Sequence, residues 1–217
     1  MNRNRFVFLM ALAVFLITAA MASAMTVYTD RAGFESSGLI ASQYGFQEFA
    51  PDALTYLPNP HTQAGVTYVT GDNLVVGANY DPYRPISNVF CSNLLGPIGG
   101  LVATSPARNM LGMDLGYLAG PSSVDLAVST NLGEYHYNAL AVPPAGEALM
   151  FRGFVAGADE YFTAFTVSAR DDGSAAVIDN VTLGDAYTSV IPEPLTLASL
   201  AGAIAGLGGY LRKRLAR

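Results

Sequence analysis

The residue types that most often carry out chemistry are few in this chain. Its 217 residues include one cysteine, Cys91, and two histidines, His61 and His136. A free thiol is a candidate nucleophile, but beside Val89 and Phe90 a cysteine more often serves as a small buried hydrophobic residue. A single cysteine also excludes a disulfide within the chain.

Neither histidine belongs to a recognisable catalytic or metal-binding pattern. His136 stands between Tyr135 and Tyr137 in a strand-like segment, so we expect it on the opposite face, solvated or beside a bound sugar. His61 follows Pro60 in a proline-rich stretch, and we expect it to be exposed. The sequence contains no His-Glu-x-x-His, no Cys/His grouping for zinc and no Gly-x-Ser-x-Gly. We therefore predict a protein without catalysis of its own.

Carboxylates are abundant and set the charge of the central part of the chain. Between residues 25 and 191 there are 16 acidic residues, five arginines and no lysine, a net charge of −11 with His neutral. Such a surface repels phosphate, which argues against nucleic-acid partners, and suits divalent cations or neutral glycans. Glycosidases use paired carboxylates, but among 16 acidic residues an adjacent pair such as Asp159-Glu160 carries little information.

One loop has the composition of a sugar-binding site. Tyr80, Asp81 and Tyr83 lie together beside Arg84, and they combine aromatic rings with hydroxyl-binding groups. The alternative is an ordinary polar loop whose tyrosines pack against the fold.

Most of the central sequence alternates with a period of two. Short β-branched and aromatic segments are separated by turn residues such as Gly71-Asp72-Asn73 and Asp171-Asp172-Gly173. The segments predicted as strands are 65–70, 74–76, 110–118, 124–129, 135–140, 148–155, 162–168 and 176–183. This spacing predicts an all-β sandwich.

One helix and two longer irregular stretches complete this prediction. Asp30 can cap a helix over residues 31–37, with Gly38 as its stop. We expect residues 44–60 and 79–100 to be irregular. One domain, 25–185, and a linker, 186–191, account for the chain between its two ends.

The amino terminus has the three parts of a secretory signal peptide. Arg3 and Arg5 precede the apolar run 6–20, and Ala22 and Ala24 form a small-x-small cleavage site. We expect residues 1–24 to be removed and the mature chain to begin at Met25. An uncleaved anchor is the alternative.

The carboxyl terminus has a second tripartite pattern. The prolines of Pro192-Glu193-Pro194 hold Glu193 in extended backbone, residues 195–211 are apolar, and Arg212, Lys213 and Arg214 follow. Seventeen apolar residues are just enough for a transmembrane helix, with its cationic end in the cytoplasm.

This order of motif, apolar span and basic stop resembles the PEP-CTERM sorting signal. The resemblance covers residues 192–217 and implies processing by an exosortase, a membrane enzyme of the transpeptidase type. The implied route is export, anchoring in the inner membrane and transfer to the cell surface or extracellular matrix. An ordinary C-terminal anchor is the alternative.

The domain itself resembles PEP-CTERM ectodomains with a lectin-like jelly roll. The similar segments include residues 27–34, 44–49, 65–68, 151–154 and 178–181. The resemblance implies that the first and last long strands lie side by side. It also implies that Glu48 and Asp179 can converge on a structural calcium ion, whereas hydrogen bonding of Asp179 at a strand edge is the alternative.

These patterns together predict a secreted surface or matrix protein with a structural or adhesive role. A carbohydrate-binding module that recognises exopolysaccharide is the alternative, and an extracellular glycan hydrolase is a more distant one.

Overall fold

The computed structural model describes residues 25–49, 55–77, 89–92, 96–117, 122–143, 149–157, 159–170 and 175–187. The chain divides into two compact units, residues 1–186 and 187–217. Every described residue except Tyr187 belongs to the first unit, and the account below concerns that unit.

The described part of the chain folds into strands and one short helix. The helix α1 is Arg31–Ser36. The strands are β1 Thr26–Tyr28, β2 Gly38–Tyr44, β3 Thr55–Leu57, β4 His61–Gln63, β5 Val66–Thr70, β6 Leu74–Gly77, β7 Val89–Ser92, β8 Ile98–Val102, β9 Met110–Tyr117, β10 Ser122–Thr130, β11 Glu134–Val142, β12 Met150–Val155, β13 Phe162–Ala169 and β14 Ala176–Ala186.

The strands form two antiparallel sheets. The first sheet has the order β1-β12-β9-β14-β7-β6-β3, and β2 also pairs with β14. The second sheet has the order β11-β10-β13-β8-β5-β4. The pairing of β2 with β14 places the first and last long strands side by side, as the ectodomain resemblance implies.

The hydrophobic core lies between the two sheets. One sheet contributes side chains such as Leu111, Phe154 and Ile178, and the other contributes Tyr68 and Phe165. Each is at most 1% exposed, and burial of such a side chain stabilises the fold by roughly 1.5–3 kcal/mol. The predicted sandwich of antiparallel strands is therefore confirmed.

Helix α1 covers the outer face of the first sheet. Its Phe34 ring lies over Gly153 and Gly112, which are partners in the pairing of β12 with β9. A Cβ atom on Gly153 would lie 2.5 Å from the Phe34 ring, so only glycine leaves room for it. Phe151 closes the contact, with its ring centroid 5.5 Å from that of Phe34.

The start of the helix agrees with the sequence. The Asp30 carboxylate accepts a hydrogen bond from the Gly33 amide at 2.6 Å, and Ser37, rather than Gly38, ends the helix. Arg31 ties α1 to the sheet, since Nη2 donates to Asp114 Oδ1 at 2.9 Å.

Most predicted strands are confirmed within a few residues, but the two stretches expected to be irregular are partly extended. β3 lies within 44–60, and β7 and the start of β8 lie within 79–100. The short lengths of β3 and β7, and the prolines around them, concealed them in the sequence.

Several predicted features lie outside the described residues. These are the signal peptide 1–24 with Ala22 and Ala24, linker residues 188–191, the motif Pro192, Glu193 and Pro194, the apolar span 195–211, and the basic stop Arg212, Lys213 and Arg214. Among the helices that the structure does describe, none has the length and hydrophobicity to cross a membrane.

Candidate functional site

The structure places the two predicted calcium ligands at the same end of β2 but in different environments. Glu48 is exposed, and its Oε1 accepts a hydrogen bond from the Tyr44 hydroxyl. Asp179 is completely buried in β14. Gly45, next to Tyr44 at the end of β2, lies close to Asp179, because a Cβ atom there would lie 3.3 Å from Asp179 Oδ1.

The backbone of β14 explains why Asp179 is enclosed. The pairing of β14 with β9 shifts register between Asp179 and Thr182, and Asn180 adopts a left-handed conformation with φ of 48°. Both oxygens of Asp179 accept hydrogen bonds from Asn180, from its amide at 2.7 Å and its Nδ2 at 3.2 Å. Nδ2 also donates to Asp114 Oδ2 at 2.8 Å.

These contacts satisfy a backbone amide, as in the alternative for Asp179, but β14 lies inside its sheet rather than at an edge, and calcium itself is not tested. In the described ranges, no three His, Cys, Asp or Glu side chains are grouped closely enough to hold a metal. Calcium takes six to eight oxygens. An ion on Glu48 and Asp179 would therefore need carbonyl, amide or water oxygens for most of its shell, and the calcium site stays a prediction.

A group of aromatic and titratable side chains lies beside Glu48; we call Tyr44, Glu48, His61 and Tyr68 the tyrosine cluster. The Tyr44 hydroxyl lies 3.5 Å from His61 Nε2 while it donates to Glu48. The imidazole is inclined by 29° and 26° to the rings of Tyr44 and Tyr68, at centroid distances of 6.3 and 6.4 Å. His61 is half-buried in β4, so the expectation that it lies exposed in a loop is wrong.

The cluster disfavours charge on its rings. Burial lowers the pKa of His61, and the nearby Glu48 opposes this only in part. Burial, together with the hydrogen bond to Glu48, raises the pKa of Tyr44. His61 is therefore neutral near pH 7, able to accept or donate one hydrogen bond.

A second polar centre joins two loops at one end of the second sheet; we call the contacts of Glu160 with Thr130, Tyr135 and Gly157 the loop junction. Glu160 Oε1 accepts hydrogen bonds from the Thr130 hydroxyl at 2.6 Å and the Tyr135 hydroxyl at 2.8 Å. Oε2 accepts from the Gly157 amide at 3.1 Å. Glu160 is only 4% exposed, so these three donors replace the water that burial removes.

The electrostatic balance at Glu160 favours the ionised carboxylate. Burial raises its pKa, but the hydrogen bonds from Thr130, Tyr135 and Gly157 outweigh that effect and lower it. The same contact raises the pKa of the Tyr135 hydroxyl. The hydroxyl protons therefore stay on Thr130 and Tyr135, and Glu160 stays ionised.

Next to the loop junction, the backbone and side chain of Asn131 join the two loops. The Asn131 amide donates to the Tyr161 carbonyl at 3.0 Å, and the Tyr161 amide donates to Asn131 Oδ1 at 2.8 Å. Asn131 Nδ2 donates to the Asp159 carbonyl at 3.2 Å. We call Asn131, Leu132, Gly133, Asp159 and Tyr161 the loop tip.

Little in the sequence indicated this centre. Glu160 was visible only as half of an adjacent acidic pair, and its side-chain partners stand 25 and 30 residues away. His136, on the neighbouring β11, lies 3.4 Å from Glu134, and the His136 side chain is 60% exposed, as expected for the outer face.

The side chains of the remaining predicted site residues are not described by the structure. Tyr80, Asp81 and Tyr83 lie outside the described residues. Cys91 is part of β7, and only its backbone is described.

Comparisons with known proteins add a distant similarity of fold. No protein-family model matches the chain, and no curated protein matches it. A solved structure similar to this chain is the CBM22-1 xylan-binding domain of Xyn10C from Paenibacillus barcinonensis. The two are 13% identical with a TM-score of 0.34, over 69% of this chain and 97% of that domain.

Proposed function

We propose that this protein is exported, sorted to the cell surface or extracellular matrix, and structural or adhesive rather than catalytic. The observation that carries the proposal is the order of Pro192-Glu193-Pro194, the apolar span 195–211 and the basic stop. These parts supply, in turn, an extended recognition peptide, a membrane segment and a cytoplasmic charge. An exosortase-type enzyme and the inner membrane are the partners of this route.

The ectodomain suits such a role. It is a β-sandwich whose long edge-to-edge pairing of β2 with β14 fits the jelly-roll connectivity proposed from the resemblance. Its strong negative charge favours solubility outside the cell.

The sorting step is tested by expressing the full chain in a bacterium that contains an exosortase. We expect the wild type to lose its tail and reach the surface fraction, and a Glu193→Ala variant to remain at full mass in the inner membrane. Ser189→Ala, just before the motif, is the matched control and should behave as the wild type. Arrival of Glu193→Ala at the surface with the wild-type mass would contradict the proposal.

Carbohydrate binding is the second candidate function. It is favoured by the loop tip, where Tyr161 is 40% exposed on a backbone fixed by hydrogen bonds, since sugars stack on such rings. Migration of the full chain, purified in detergent, through gels containing a soluble polysaccharide is the test. Slower migration than in a gel without polysaccharide supports this candidate, and unchanged migration in every gel rejects it.

A further inference from the structure

Hydrogen bonds between its two loops hold the loop tip in place. Three hydrogen bonds join Asn131 to Asp159 and Tyr161, and a buried carboxylate underneath receives three more. Thr130 also closes its own hairpin, because its amide donates to the Gly133 carbonyl at 2.7 Å. Loops held in this way lose little conformational entropy when they bind a ligand.

The fixed backbone includes a conformation that has an energetic cost. Asp159 has φ of 61°, in the left-handed region that residues other than glycine enter rarely. Such conformations persist where surrounding contacts hold them, and they are common at binding sites. The Asp159 carbonyl, bonded to Asn131, is one contact that holds it.

What the tip presents to solvent is apolar. Leu132 is 69% exposed, the largest value among the exposed large hydrophobic side chains in the described ranges, and Tyr161 is 40% exposed. Their backbones are adjacent, since Asn131 bonds to Tyr161 in both directions. Both side chains therefore keep apolar surface in contact with water. A ring and an aliphatic side chain on rigid loops are typical anchors for a ligand.

The charge around these side chains selects the ligand. The exposed carboxylates near them, Asp159 and Glu134, are hydrogen-bond acceptors, and the loop tip itself includes no Arg, Lys or His. The acidic ectodomain repels a polyanion. A ligand must therefore offer apolar faces to Tyr161 and Leu132 and neutral donors to the carboxylates, which a chain of uncharged sugars does.

We propose that the loop tip is the binding site of an uncharged polysaccharide, with Tyr161 and Leu132 as contacts and Asn131 as a positioning residue. The inference rests on carbohydrate binding, the second candidate function above. It goes beyond that candidate because it names the contact residues, the positioning residue and an uncharged polysaccharide as the ligand class.

The test compares variants of the full chain, purified in detergent, in native gels containing soluble xylan, hydroxyethylcellulose or dextran. We expect Tyr161→Ala and Leu132→Ala each to reduce the apparent affinity about tenfold, as loss of an anchor contact does. Tyr56→Ala and Leu39→Ala are matched controls, because these side chains are 59% and 63% exposed on other strands. Both controls should migrate as the wild type.

The positioning role has its own readout. Asn131→Ala should weaken binding although Tyr161 and Leu132 remain, and it should increase amide hydrogen exchange at Tyr161. If Tyr161→Ala lowers the melting temperature by more than the controls do, its loss of affinity is ambiguous. The affinity of Leu132→Ser, a change in the other loop, then decides whether the loop tip binds the polysaccharide.

The outcomes separate the site from the function. If the wild type is retarded by a polysaccharide but Tyr161→Ala and Leu132→Ala match the controls, carbohydrate binding stands and the loop tip is overturned as its site. If none of the three polysaccharides retards the wild type, both are rejected. Sorting to the surface is judged separately by the Glu193→Ala experiment.

Discussion

The loop junction and the tyrosine cluster each contain a glutamate that accepts a tyrosine hydroxyl, but the two glutamates differ in burial. Glu160 is 4% exposed and binds Thr130, Tyr135 and Gly157, whereas Glu48 is exposed and has one described donor, Tyr44. Removing water makes every unmet hydrogen bond costly, so the same chemistry has a larger effect on stability at Glu160. We infer that the contribution of each glutamate to the free energy of unfolding depends on its burial rather than on the type of its contact.

The largest expected effect comes from removing the buried carboxylate. Glu160→Ala removes the acceptor of the Tyr135 hydroxyl and the Gly157 amide and leaves the Thr130 hydroxyl only the Gly133 carbonyl at 3.1 Å. We expect it to lower the free energy of unfolding by about 3 kcal/mol. Glu48→Ala should lower it by less than about 1 kcal/mol, because water replaces the lost contact. Urea denaturation of both variants measures the difference.

A matched variant separates charge from volume in this experiment. Glu160→Gln keeps the shape of the side chain but replaces one acceptor oxygen with an NH₂ group, which faces one or more of the donors Thr130, Tyr135 and Gly157. It should therefore lower the free energy of unfolding by about half as much as Glu160→Ala does. Equal stability of Glu160→Ala and Glu48→Ala would contradict the argument from burial.

Calcium is the condition that would reverse the comparison. If an ion binds at Glu48 and Asp179, it stabilises the folded state by about 2.7 kcal/mol when its concentration is 100 times the dissociation constant. The tyrosine cluster would then contribute nearly as much as the loop junction. Melting temperatures in calcium and in chelator measure this effect.

Two variants locate the ion. Glu48→Gln should abolish the calcium-dependent rise, and Glu35→Gln, an exposed acid on α1, should leave it unchanged. The same melting temperature in calcium and in chelator for the wild type would remove the calcium prediction.

The fold was predictable wherever one face of a strand meets the core and the other meets water. β10 alternates between buried and half-buried residues over 123–130, and the sequence located its ends within two residues. β2 was missed because Leu39, Ile40 and Ala41 are exposed in succession, with a register shift against β14. Three exposed residues in a row and a register shift both interrupt the alternation of buried and exposed side chains by which a strand is recognised in a sequence.

The candidate sites were less predictable, because their partners meet only in the folded chain. Glu48 and Asp179 were named from a resemblance, and the structure adds the left-handed Asn180 that encloses Asp179. The partners of Glu160 come from β10, β11 and the turn at Gly157, and no local pattern connects them. Long-range hydrogen bonds of this kind have no sequence period.

The two regions should also lose stability in different pH ranges. Folding lowers the pKa of both His61 and Glu160, so the unfolded chain binds more protons and stability falls as pH falls. For His61 this loss begins below its ordinary value of 6.5, and for Glu160 below 4.5. One proton gives a slope of at most about 1.4 kcal/mol per pH unit.

Substitution assigns each part of the pH profile. His61→Gln should flatten the curve of unfolding free energy just below pH 6.5, and Glu160→Gln should flatten it below pH 4.5. His136→Gln is the control for the upper range. If His136→Gln flattens the upper part of the profile and His61→Gln does not, the assignment of that part to His61 is contradicted.

The smallest expected effect is the coupling within the tyrosine cluster. A double-mutant cycle of Tyr44→Phe and Glu48→Gln should give a coupling energy of about 0.5 kcal/mol, since Glu48 remains hydrated. The matching cycle of Tyr135→Phe and Glu160→Gln should give two to three times as much, because that bond lies against a buried carboxylate. A larger coupling energy for Tyr44 and Glu48 than for Tyr135 and Glu160 would mean that the Tyr44–Glu48 hydrogen bond is shielded from water. The difference in exposure of the two glutamates would then not explain their effects on stability.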